Sequence, residues 1–172
     1  MTGSHPEFRV AADRDREALA TILLEANQHY WGSDTQASEM TARAAEALLS
    51  GGSGCQAILA FRAGAALGFA TVSILHPAPS EHGTLFMKDL FISADARGQG
   101  LGTLFMRFLA QHAIELGCHR FDWTAESDNP RAIAFYDDLA ASRVREKVYF
   151  RFSGADLRAF AEHGVPDGPA SS

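Results

Sequence analysis

Residues Arg97-Gly98-Gln99-Gly100-Leu101-Gly102 decide how this chain is read, because three alternating glycines stand directly before its most regular helical pattern. From Gly100 onward, Leu101, Leu104, Phe105, Phe108 and Leu109 recur at the three-and-four spacing of a helix face, and Gly117 is placed to end it. Just upstream, TLFMKDLFI at residues 84–92 predicts a strand. A loop that leads from a strand into a helix N-terminus presents N–H groups lacking intrahelical acceptors at the positive end of the helix dipole. Together these stabilise an anion, and glycines let the backbone close around phosphate oxygens. A glycine-rich turn that holds nothing is the competing reading.

Three phosphate-binding patterns can be tested against the stretch. GxxxxGK[ST] is absent, since no Lys-Ser or Lys-Thr follows the glycines, and GxGxxG fails at its last position, which is Thr103. R-x-x-G-x-G fits, with Arg97, Gly100 and Gly102 in its fixed places.

Working outward toward the N-terminus, Glu7–Val10 predicts a short strand. Residues 13–28 predict a helix with Leu19, Ile22, Leu23 and Ala26 on one face. A second helix is expected over residues 35–49, capped by Ser33 or Asp34 and stopped at Gly51-Gly52. The β-rich runs QAILAFR and ALGFATVSIL meet at Ala63-Gly64, a hairpin signal, and HPAPSEHG is a loop. Toward the C-terminus, residues 119–125 predict a strand and 130–140 a helix with Pro130 in its first turn. Residues 143–152 read as β, 154–163 as a last helix. The order β-α-α-β-β-β-α-β-α-β predicts a mixed α/β layer arrangement with an antiparallel first half and a crossover in the second. One domain over residues 1–163 and a disordered tail over 164–172 are expected.

Composition limits the function. With 47% apolar and 21% charged residues and no apolar run near the roughly 18–20 residues of a membrane span, the chain reads as a globular protein with no membrane partner. The start, MTGSHPEFRV, has no secretory pattern, so a cytoplasmic location is expected. Fifteen Lys and Arg against 21 Asp and Glu give a net charge of -6, a poor basis for gripping a nucleic-acid backbone. Cys55 and Cys118 stand apart, without the clustering of a disulfide framework or a zinc site, and read as buried thiols; no metal is expected.

The stretch KDLFISADARGQGLG, the run HRFDWTA and the segment Asn129-Pro130-Arg131-Ala132-Ile133-Ala134-Phe135-Tyr136 follow one another in the order and at the distances of the GNAT N-acetyltransferases. Residues 84–152 resemble that superfamily specifically and residues 7–75 loosely. The pattern is similar to the spermidine/spermine N-acetyltransferase branch, and the resemblance implies an α/β fold with a central, mixed but mostly antiparallel sheet and helices on both faces. The resemblance implies acetyl-CoA as cofactor, its pyrophosphate held by the loop Arg97-Gly98-Gln99-Gly100-Leu101-Gly102 through backbone amides of residues Gly98 to Thr103. It further implies that the strand ending at Leu90-Phe91-Ile92 splays from its neighbour. That edge would offer backbone groups to the pantetheine arm and the thioester oxygen. Asn129 is carried over as a pantetheine contact, and Tyr136 as the general acid for a thiolate whose conjugate acid has a pKa of about 8.5.

The base is less directly given. Polyamine acetyltransferases carry glutamate where this chain has Lys88, and only Asp89 keeps the acidic character. Strand alternation puts Lys88 and Asp89 on opposite faces, so one of them at most meets the substrate. Asp89 is the candidate for holding water against an amine whose pKa is near 10.4. Glu126 and Asp128 read as a solvated loop face, and His112 as structural. His29, Tyr30 and Trp31 lie in the segment that shapes the acceptor pocket in GNAT folds, and ordinary hydrophobic capping of the first helix explains them equally well. The expected activity is acetyl transfer to a small-molecule amine by direct attack in a ternary complex, with a homodimer implied by the relatives. A non-catalytic acyl-CoA-binding module and an enzyme acting on protein amino groups are the alternatives.

Overall fold

A computed structural model of the chain describes residues 5–32, 37–76 and 82–162. It divides into two units, Met1–Ile133 and Ala134–Ser172. In the first unit the strands are β1 (Glu7–Val10), β2 (Gln56–Arg62), β3 (Ala65–Leu75), β4 (Thr84–Ile92) and β5 (Arg120–Trp123). Among the described residues they form one sheet in the order β1-β2-β3-β4-β5. Neighbours from β1 to β4 are antiparallel, whereas β4 and β5 run parallel. The parallel pair requires a crossover, supplied by α3 (Leu101–Glu115).

Period-two alternation explains how the sheet is covered. Ala57, Leu59 and Phe61 of β2, Phe69 of β3 and Phe91 of β4 form one buried face. Against it pack Leu19, Ile22 and Ala26 of α1 (Arg16–Trp31) and Ala45 of α2 (Ala37–Leu49). The opposite face meets α3: Phe8 of β1 lies with its ring centroid 5.1 Å from Phe105 and 5.4 Å from Phe108. Helices therefore cover both faces. Ala63 (φ 49) and Gly64 (φ 83) make the left-handed two-residue turn that joins β2 to β3 without splaying them.

Charge fixes the entry to α1. The carboxylate of Asp15, only 5% exposed, accepts both guanidinium nitrogens of Arg9 and the Ala12 N–H. Arg9 also lies 4.4 Å over the Phe61 ring, which ties the first strand to the start of the first helix.

Several expectations change. The predicted strand at 119–125 contracts to Arg120–Trp123, because only four residues find partners on β4. No strand forms over residues 143–152: the alternating side chains are there, but no hydrogen-bonded ladder accompanies them among the described residues. On α3, Met106 and Ala113 join the buried stripe and Leu104 turns outward. Cys118 is buried as expected, whereas Cys55 is only half-buried at the start of β2. Ser33, Asp34 and most of the HPAPSEHG loop lie outside the described residues, as does the tail after residue 162.

The first unit also carries the start of α4 (Pro130–Asp138), which crosses into the second. In the second unit α4 closes at Ala140 (φ 59), Arg143 pairs with Asp137, and α5 (Gly154–Glu162) follows. Phe152 stacks on Phe160 with centroids 4.5 Å apart.

Candidate active site

Pairing between β4 and β5 runs from Thr84–Arg120 to Met87–Trp123 and stops there. The next residue of β4, Lys88, is an extra one: Asp89 pairs with Thr71 and Met87 with Val72, so two β4 residues stand where β3 offers one place. This β-bulge interrupts the alternation on which the expectation for Lys88 and Asp89 was based. Met87 and Phe91 are four residues apart, yet they face opposite sides of the sheet, as their partners Val72 and Phe69 do. Lys88 and Asp89 are neighbours in sequence at the bulge, both exposed, and the Asp89 carboxylate accepts the hydroxyl of buried Thr71. Beyond the bulge, Leu90, Phe91 and Ile92 keep β3 as partner but have left the ladder to β5. On the β5 side their backbone groups have no ladder partner among the described residues.

The loop that follows enters α3 through two left-handed glycines, Gly98 (φ 74) and Gly100 (φ 75). A side chain at either would meet nothing within 4 Å, so the backbone here faces open space. Gly100 is the N-cap, with no side-chain cap, and the first intrahelical bond is Leu104 N–H to the Gly100 carbonyl at 3.1 Å. Helix geometry leaves the N–H groups of Leu101, Gly102 and Thr103 without intrahelical acceptors. An open, left-handed, side-chain-free approach to a helix N-terminus is what a bound pyrophosphate requires, so the residues present fit that group.

The loop is braced on both sides. Arg97 Nε donates to the Ile92 carbonyl at 2.9 Å, and its guanidinium lies 5.4 Å from the Phe91 ring centroid. Gln99 donates to the Asp95 carbonyl at 2.9 Å and accepts from Arg62 at 2.8 Å. Ser93 N–H reaches the Leu67 carbonyl at 2.9 Å. Glu25 of α1 accepts the Ser93 hydroxyl at 2.8 Å and the Ala94 N–H at 3.0 Å on the same oxygen.

At the C-terminal end of α1, His29, Tyr30 and Trp31 form an exposed aromatic run against β4. Ring centroids of His29 and Tyr30 lie 5.9 and 6.3 Å from Phe91, and Trp31 stands 5.7 Å from Tyr30. The helix end thus overlooks the same strand that leads into the glycine loop. His112, by contrast, sits beside Phe108 and Gln56, in keeping with a structural role.

Asn129 is the N-cap of α4: its Oδ1 accepts the Ala132 N–H at 3.0 Å, and Pro130 opens the helix. Tyr136 belongs to the second unit, half-buried on α4 with its ring 5.1 Å from Phe135. The first unit therefore gathers Asp89, Leu90–Ile92, Arg97–Thr103 and the aromatic run around the end of β4. Glu25, Thr71 and Arg62 were missed by sequence reasoning. Each acts across the fold, and an acidic residue on an amphipathic helix reads from sequence as solvent-facing. Among the described residues no group of three or more His, Cys, Asp or Glu could hold a metal, and no helix is long and apolar enough to cross a membrane.

Residues 16–140 match the model of the acetyltransferase (GNAT) family. The chain is 30% identical over 80 residues to the thialysine N-epsilon-acetyltransferase of Mus musculus, covering 45% of this chain and 47% of that protein. It is 31% identical over 74 residues to an L-ornithine N5-acetyltransferase of Arabidopsis thaliana, covering 43% and 32%. The chain thus spans about half the length, or less, of these curated relatives. An integron cassette protein from the mobile metagenome of V. cholerae superposes with a TM-score of 0.84 at 38% identity, over 93% of this chain and 99% of that one.

Proposed function

The chain belongs to the GNAT acetyltransferase family, and on that premise we propose that it is an acetyl-CoA-dependent N-acetyltransferase acting on a small primary amine. The observation that carries the proposal is the uncapped, glycine-entered N-terminus of α3 directly downstream of the free edge of β4. Acetyl-CoA supplies an acetyl group activated as a thioester. The N–H groups of Gly98 to Thr103 hold the pyrophosphate of the cofactor, and the edge at Leu90, Phe91 and Ile92 orients its pantetheine arm. Asn129 borders the same arm. Asp89 takes the proton of the acceptor ammonium through water, and Tyr136 Oη protonates the departing sulfur, so the amine attacks directly with both partners bound.

The acceptor is argued from the bulge. Lys88 beside Asp89 sets a cation next to an anion, an arrangement suited to an acceptor that carries a carboxylate as well as an amine. A polyamine, cationic throughout, meets repulsion from Lys88. The curated relatives act on thialysine and ornithine, and the side-chain amine of a basic amino acid is the acceptor class proposed for this chain. His29, Tyr30 and Trp31 form its wall. Thiol release from acetyl-CoA with ornithine, lysine, thialysine and spermidine tests this, with mass analysis of each product. Saturable release with the amino acids at lower concentration than spermidine is expected. Cofactor binding with no release for any amine points instead to a non-catalytic acyl-CoA-binding module.

The chain is also proposed to form a homodimer. Val144, Val148, Phe150 and Phe152 alternate with Arg145, Lys147 and Arg151, and Val148 and Phe150 are 73% and 86% exposed. The alternation is broken by Glu146 and Tyr149, but an exposed segment this rich in apolar side chains is suited to pairing across two copies.

A further inference from the structure

Among the groups outside the proposed chemistry, Glu25 reaches from α1 to the turn that leads into the glycine loop, as Arg62 of β2 reaches Gln99 within the loop itself. Glu25 lies in the middle of α1, 68 residues before the serine it binds. The short 3-10 turn Ala94–Ala96 begins the loop, and its N-cap residue is Ser93, a residue type that ordinarily caps its own helix with its hydroxyl. Here that bond is missing. The Ser93 hydroxyl donates instead to Glu25 Oε1, and the same oxygen accepts the Ala94 N–H, the donor that a self-capping turn would have left to water. A carboxylate from a distant helix therefore does the work of a cap, with its charge at the positive end of the turn.

We infer that Glu25 is a positioning residue: it fixes the 93–96 turn and thereby pre-orders the Gly98–Thr103 backbone that receives the cofactor pyrophosphate. The inference rests on the proposed cofactor site. Its physical content is preorganisation, since a loop already held in its binding conformation loses less entropy on taking up a ligand. The other braces leave this role open. Ser93 N–H to Leu67 and Arg97 Nε to Ile92 fix the end of β4, and Gln99 to Asp95 fixes the later half of the loop. Among the described residues, Glu25 ties the turn between them to α1. One turn further along α1, His29 packs on Phe91, so the same helix holds the loop and presents the proposed acceptor wall.

The test compares Glu25→Ala with Glu25→Gln. Glutamine keeps an oxygen that accepts both donors, whereas alanine removes it. Titration with coenzyme A, KM and kcat with acetyl-CoA, and amide exchange across the free protein are measured for each. Glu25→Ala is expected to weaken coenzyme A binding and raise the acetyl-CoA KM about tenfold, the scale of losing charge-assisted hydrogen bonds, with kcat at saturation close to that of the parent protein. Exchange should quicken over residues 93–103 while the sheet stays protected, and Glu25→Gln should restore most of both effects. Unchanged loop exchange in Glu25→Ala, or equal loosening throughout the chain, overturns the inference. If the parent protein does not bind coenzyme A at all, the proposed function fails, while loop exchange still decides whether Glu25 orders the turn.

Discussion

Asp15 shows how a single side chain ties local sequence to stability. The Arg9 guanidinium, and after it the Ala12 N–H, holds the Asp15 carboxyl below its ordinary range, against the opposing effect of burial. A depressed folded-state value means that the stabilisation is complete above the unfolded value of about 4 and is lost as pH falls through the folded one. In urea unfolding, Asp15→Asn is expected to cost about 1–3 kcal/mol at neutral pH and to flatten the decline in stability below pH ~4. An acid limb identical to that of the parent protein would show that the pair contributes nothing. Tyr136 poses the chemical question at the same scale. Tyr136→Phe should lower kcat by roughly 10²- to 10⁴-fold, the usual contribution of a general acid, and leave coenzyme A binding intact. Near-normal turnover would remove the tyrosine from the mechanism.

Elements differ in how far their own residues announce them. The glycine loop and α3 are local: the glycines, the helix start and the apolar stripe all lie within twenty residues, and sequence alone placed them apart from Leu104, which turns outward, and Met106 and Ala113, which join the stripe. Gly117 ends α3 in the left-handed conformation expected of it (φ 73). The bulge at Lys88 was not legible in the same way, because alternation counts residues and cannot register one that the partner strand skips. Two adjacent charges inside an apolar strand, Lys88-Asp89, were the available signal. Glu25 and Ser93 met only through the packing of α1 on the sheet, which nothing in either segment records. Residues 143–152 failed in the other direction: the β pattern was read correctly, but a strand also needs a neighbour. Within the loop, Gly100→Ala imposes a left-handed backbone on a side-chain-bearing residue, at about 1 kcal/mol, and sets a methyl group where the backbone faces open space. The expected result is a small drop in thermal midpoint together with a fall in coenzyme A affinity of more than about tenfold. Unaltered affinity would place the phosphates elsewhere.

At the scale of the whole molecule, the sheet and its crossover followed from the order of elements and the two helical layers from the family resemblance, whereas assembly did not. The apolar alternation at Val144–Phe152 predicts that sedimentation will show a dimer, and that Val148→Glu with Phe150→Glu will yield monomers that remain folded. A parent protein that sediments as a monomer at all concentrations would end the dimer proposal. The negative net charge of -6 is compatible with a cationic acceptor but does not choose one. The central claim concerns the donor, and amide exchange with and without coenzyme A tests it most directly. Protection concentrated at Leu90–Ile92 and Gly98–Thr103 is the predicted footprint. Protection confined to other segments, or none at saturating coenzyme A, would contradict it.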